Sequence, residues 1–241
     1  MKRKILHRII IDISCLIAIS LFLIIWQLSD AVGLAEQLEN ELTDKEQLID
    51  YAVDGDIAYA FVSTTGSSYG DWLLVFRHDV SGEWKRSYEN DFTGLKPWRL
   101  RLADIDGDGE KEILTAVRKT TFYDKEEKNR LFVFNYTDGK LVKKWTGSDI
   151  AGSWENFITG ELVNTKGEEL IFITKTKEGL ERLLIYHWFD FGFLMLAQSA
   201  DYQDVIDVEI VKENRIRITY HDGQKKTEQF LLKDGMVTKV D

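Results

Sequence analysis

Proline and cysteine are nearly missing, with one of each in 241 residues. The single cysteine, Cys15, lies inside a hydrophobic segment, so no intramolecular disulfide forms and no thiol pair is available to bind a metal. With so little proline, few backbone amides are lost to hydrogen-bonded ladders, which suits long runs of β-strand. The four histidines (His7, His78, His187 and His221) are scattered, and none has a partner at metal-ligand spacing. There is no H-E-x-x-H, no G-x-S-x-G elbow and no phosphate-cradling glycine loop, so the usual hydrolase and nucleotide-binding signatures are missing. An excess of positive charge is missing as well. Thirty-one Lys and Arg face 41 Asp and Glu, for a formal charge of -10. A body of that sign repels phosphates, so the expectation is no nucleic-acid partner and no attraction to anionic lipid headgroups. Low-complexity tracts are absent, while 44% hydrophobic and 12% aromatic residues supply enough apolar surface to fold.

What is present begins at the N-terminus. Residues 1–8 carry Lys2, Arg3, Lys4 and Arg8, and residues 9–28 form a nearly unbroken apolar run ending near Trp26. At 1.5 Å rise per residue such a run covers the ~30 Å of bilayer hydrocarbon, and the basic flank predicts a cytoplasmic N-terminus. Asp12 lies one helical turn after Arg8, so the pair neutralises itself near the interface. Small residues at Ala31, Gly33 and Ala35 allow the competing reading of a cleaved signal peptide and a secreted domain, but the apolar run is longer than a usual secretory core. Residues 29–46, with Leu34, Leu38 and Leu42 on one stripe among polar residues, predict a helical stalk. The expected location is therefore the cell membrane, single-pass, with residues 47–241 outside.

From residue 47 the period becomes that of β-strands, and one pattern recurs four times. An apolar run, a glycine turn and another strand read LLVFRHDVSGEW from Leu73, LFVFNYTDGKLV from Leu131, LLIYHWFDFGFL from Leu183 and QFLLKDGMV from Gln229. The turn glycines are Gly82, Gly139, Gly192 and Gly235, each expected to supply the positive φ of a tight hairpin. Two further strands precede each hairpin. A repeat of roughly 50 residues and four strands is the size of a propeller blade, so the predicted fold is all-β, a small β-propeller-like domain of about four four-stranded units. A β-sandwich of many short strands is the alternative.

One turn carries chemistry. DIDGDGEKE places Asp104, Asp106 and Asp108 on alternate positions, Gly109 at the sharp bend and Glu112 at position nine. Alternate carboxylates on a tightly curled backbone converge with a carbonyl at position seven, here Glu110, into a cage for a hard cation. A D-x-D-x-D-G-x-x-[D/E] loop between two strands resembles the calcium loops of FG-GAP and VCBS-type repeats in integrin-like β-propellers. That resemblance implies a structural Ca2+ held by Asp104, Asp106, Asp108, the Glu110 carbonyl and Glu112. The matching turn of the third repeat has Leu162 and Lys166 where carboxylates would stand, and Lys166 would repel a cation.

The aromatic residues suggest where a partner binds. Trp98 and Trp154 precede the first strands of successive repeats, and Trp84 and Trp145 occupy matching fourth strands, a placement suited to packing between units. The segment WFDFGFLML from Trp188 turns at Asp190 to Gly192, and a hairpin tip cannot bury both faces, so Phe189, Phe191 or Phe193 is a candidate partner contact. The function expected is a non-enzymatic binding or scaffold module that docks another envelope protein or a glycan. An envelope hydrolase or lyase acting in a propeller pocket is the alternative, with no catalytic residues to nominate.

Overall fold

Runs rich in Val, Ile, Leu and aromatic residues, bounded by Asp, Gly and Asn, become sixteen strands in the computed structural model, which describes residues 33–147, 149–163, 166–212 and 214–240. The predicted membrane segment 9–28 lies outside the described residues, and among these no helix is long and apolar enough to cross a membrane. The chain separates into two compact units, Met1–Lys45 and Glu46–Asp241. In the first, a helix α1 covers residues 33–40 of the predicted stalk and ends in turn bonds from the Glu41 and Leu42 amides to the Leu38 and Glu39 carbonyls.

The second unit is all-β. Its strands form four successive antiparallel meanders. The first comprises β1 (Gln47–Asp54), β2 (Ile57–Ser63), β3 (Trp72–His78) and β4 (Trp84–Asp91), and the second β5 (Pro97–Ala103), β6 (Glu112–Lys119), β7 (Lys128–Thr137) and β8 (Lys140–Thr146). The third comprises β9 (Trp154–Gly160), β10 (Glu169–Lys175), β11 (Glu181–Phe189) and β12 (Gly192–Tyr202). The fourth comprises β13 (Asp204–Lys212), β14 (Arg215–Asp222), β15 (Gln224–Lys233) and β16 (Met236–Lys239).

Position within a meander explains each strand's composition. Middle strands such as β2, IAYAFVS, and β6, EILTAVRK, are buried on both faces nearly end to end, so they read as continuous apolar runs. The outer strand β4, WKRSYEND, alternates buried or half-buried with exposed positions, because one face meets water.

Packing links neighbouring meanders in sequence. Phe61, Leu73, Val75 and Phe92 of the first meet Leu100, Ile113 and Phe134 of the second in one core. Leu114, Ala116, Leu131 and Val133 of the second meet Trp154, Phe157, Leu170 and Phe172 of the third in another. Ile171, Leu183 and Ile185 of the third meet Ile216, Ile218 and Phe230 of the fourth in a third core. No buried core cluster joins the fourth meander to the first among the described residues.

Two features differ from the sequence expectation. The four meanders make three sheets, because β16 pairs in parallel with β12 at Gln198 and Met236 and fuses the third and fourth into one eight-stranded, nearly closed sheet. The positive φ of the third hairpin belongs to Asp190 at 58°, and Gly192 is not in the left-handed region. Gly192 instead pairs with Phe189 as the first residue of β12, so the two-residue tip is Asp190 and Phe191. At the second and fourth hairpins both tip residues are left-handed, Asp138 at 53° with Gly139 at 71° and Asp234 at 50° with Gly235 at 77°, the pattern that Asp-Gly serves best.

Candidate functional site

The loop from Asp104 to Lys111 joins β5 to β6 and folds around its own first carboxylate. Asp104 accepts hydrogen bonds from the Asp108 amide at 3.1 Å and the Gly109 amide at 2.9 Å, while Asp108 accepts from the Glu110 amide at 2.9 Å. Gly107 and Gly109, at φ of 67° and 93°, supply the left-handed residues the coil requires. The result brings carboxylate oxygens of Asp104, Asp106 and Asp108 within 4.8 Å of one another. Like charges so close favour a cation among them. The donor set is all oxygen, and Asp106 Oδ1 is buried with no hydrogen-bond partner, so these three residues fit a hard divalent ion.

The other two residues of the predicted cage lie outside this carboxylate group. Glu110, expected to offer its backbone carbonyl rather than its carboxylate, has an exposed side chain and donates its amide to Asp108. Glu112 is fully buried and lies outside the group of three. Its Oε2 accepts from the Ile105 amide at 3.1 Å, and its Oε1 accepts from Asn135 Nδ2 at 3.0 Å and from Lys144 Nζ at 2.6 Å. Burial pushes its carboxyl above the usual range, against the opposing pull of Lys144.

Glu169 shows what that position does in a turn that lacks the three aspartates. It begins β10 as Glu112 begins β6, is equally buried, and accepts from the Leu162 amide at 2.8 Å and the Val163 amide at 3.2 Å. The glutamate that opens the second strand of the meander thus caps the turn backbone in both repeats. Setting Glu112-Ile113-Leu114 beside Glu169-Leu170-Ile171 is the sequence signal that carries this role.

Lys144, on the outer strand β8, is the residue that sequence reasoning misses. Its ammonium donates to Asp106 Oδ2 at 2.6 Å as well as to Glu112, and lies 5.6 Å from the centre of the Trp188 ring. Burial alone would lower its pKa, but the two carboxylates outweigh burial and hold it above the ordinary lysine value.

The loop is also locked to the matching turn of the third meander. The Glu168 amide donates to the Asp104 carbonyl at 2.7 Å, and the Asp104 amide donates to Glu168 Oε1 at 3.1 Å. A Cβ on Gly167 would fall 2.2 Å from the Ile105 carbonyl oxygen, so this close approach demands glycine. Burial raises the Glu168 carboxyl above its usual range. Lys166 lies against Gly107 and lines, with Asp106, a groove of about 590 Å3 whose far wall is His187, Trp188, Phe189 and Asp190.

That wall is the aromatic hairpin. Phe191 is 85% exposed and Phe189 59%, and Leu194 and Met195 are exposed beside them. Phe193 does something else: it packs edge-on against Trp145 and Trp188, with centroids 5.1 Å away in both cases. The tryptophans Trp98 and Trp154 approach at 6.1 Å, joining the second and third meanders.

No protein-family model matches the chain, and no curated protein matches it. Among solved structures, the chain is 14% identical to a candidate 6-phosphogluconolactonase of Bacteroides fragilis, with a TM-score of 0.48 over 79% of this chain and 55% of that one. It is likewise 14% identical to a Xanthomonas protein related to a type IV secretion system, with a TM-score of 0.35 over 83% of this chain and 95% of that one. The chain spans about half the length of the Bacteroides structure.

Proposed function

We propose that this chain is a non-enzymatic docking module held at a cell membrane. In this reading residues 9–28 are a single-pass anchor with a cytoplasmic N-terminus. Residues 47–241 form an extracytoplasmic β-propeller-like domain of the FG-GAP/VCBS type, with a structural calcium ion at Asp104, Asp106 and Asp108. Four consecutive meanders packed face on face support the propeller-like description.

The observation that carries the docking role is the tip of the third hairpin. Phe189 and Leu194 share one face of the hairpin and Phe191 stands at its tip, an exposed apolar surface on two paired strands whose root, Phe193, packs against Trp145 and Trp188 from the other face. Exposed aromatics gathered on one element mark contact sites, and a patch of this apolar character favours a protein partner of the envelope over a glycan.

Affinity capture from detergent-solubilised membranes tests it. The full chain should retain a partner that Phe191→Ser loses, with both proteins melting at the same temperature. Equal capture by the two would remove the hairpin from the interface.

A further inference from the structure

We propose that Lys144 is the built-in cation of the β5–β6 loop: its ammonium, seated between Asp106 and Glu112 beneath the Trp188 ring, holds the loop together without metal and weakens its grip on calcium. This rests on the calcium reading of Asp104, Asp106 and Asp108 and adds the residue that sets the affinity.

The geometry is specific. Lys144 reaches from the outer strand β8 to the start of β6, and its side chain is only 15% exposed. A buried ammonium is costly unless its donors are satisfied. Here Asp106 and Glu112 each accept at 2.6 Å, and the face of Trp188 lies 5.6 Å away. Glu112 shares the ammonium with Asp106 and is not one of the three converging carboxylates; both its oxygens are already used by Lys144, Asn135 and the Ile105 amide. Asp106 is divided: Oδ2 serves the ammonium, while Oδ1 is the buried atom without a partner.

A divalent ion bound by the three aspartates shares Asp106 with a fixed positive charge. A like charge within ~4–6 Å disfavours an ionic state by tenfold or more. Removing the ammonium therefore tightens calcium binding. It also leaves Asp106 and Glu112 without their counter-ion, so the metal-free fold weakens.

Calcium titration calorimetry and melting of the full chain in non-ionic detergent, with calcium chloride or chelator, test this. Lys144→Met should bind calcium roughly tenfold or more tightly than wild type, melt lower in chelator, and recover with calcium. Lys144→Arg, which keeps the charge, should bind as wild type does. If wild type and Lys144→Met bind calcium equally, the role of Lys144 is overturned while the calcium reading stands. If neither binds, both fall. Should Lys144→Met not fold, the pair Lys144→Met with Glu112→Gln removes the buried carboxylate along with its partner, and the same gain in affinity is required of it.

Discussion

Asp124 shows how much a single half-buried carboxylate does when Lys128 and a buried arginine converge on it. Arg130 is fully buried on β7, and it donates to the Lys119 carbonyl at 2.9 Å and to Asp124 at 3.0 Å, drawing the loop between β6 and β7 back onto the sheet. Hydrogen bonds from Lys128 and then from Arg130 hold the Asp124 carboxyl down at about 2, against an ordinary 3.8. A folded-state pKa below the unfolded one means stability that is whole above pH 3.8 and is lost as pH falls through about 2. Asp124→Asn should therefore flatten that part of the melting-temperature profile, measured by circular dichroism between pH 4 and pH 2. An unchanged slope would show that the loop contact carries no linked proton. At this scale the sequence was legible for the aspartates, whose alternate spacing already places three carboxylates together. It was not legible for Lys144, because the contacts that define it come from strands distant in sequence and from a tryptophan on the next meander. Glu112 has both characters, for its spacing matches a ligand while its burial and its bond from the Ile105 amide match a cap.

Strands and hairpins were the easiest elements to read, for apolar runs broken by Asp-Gly or Gly turns leave little freedom of assignment. The third hairpin is the exception that matters. Its sequence, Asp190-Phe191-Gly192, suggested glycine as the turning residue, but the strand register puts Phe191 at the tip, where its ring has no neighbour to pack on. Phe193, two residues on, points into the Trp145 and Trp188 rings. The two phenylalanines should separate cleanly in chemical denaturation. Phe191→Ser should change stability by less than about 0.5 kcal/mol, as surface substitutions do. Phe193→Ala should cost about 2 kcal/mol, less than the removal of a fully buried phenylalanine because its ring is only partly buried. A large loss at Phe191 would mean the tip is buried, and the docking surface would have to be sought elsewhere.

At the scale of the whole β-unit, the repeat was visible because each meander restarts the same order of strands. The joining of the last two meanders was not. It depends on a parallel pairing at Gln198 and Met236, and a lone bridge of that kind leaves no periodicity in the sequence. What the arrangement achieves is a row of meanders with cores between neighbours, the acidic loop of the second clamped to the turn of the third, and the aromatic hairpin of the third rising beside both. The root of the exposed tip is thus braced by two meanders, where Phe193 packs against Trp145 and Trp188. Val80, at the tip of the first hairpin and fully exposed, offers an internal comparison on the same molecule. The most direct measurement is site-specific photo-crosslinking in intact cells, with a benzophenone side chain placed at 191 in one protein and at 80 in another. The docking account predicts a discrete crosslinked species from 191 and none from 80; no adduct from 191, or the same adducts from both, would contradict it.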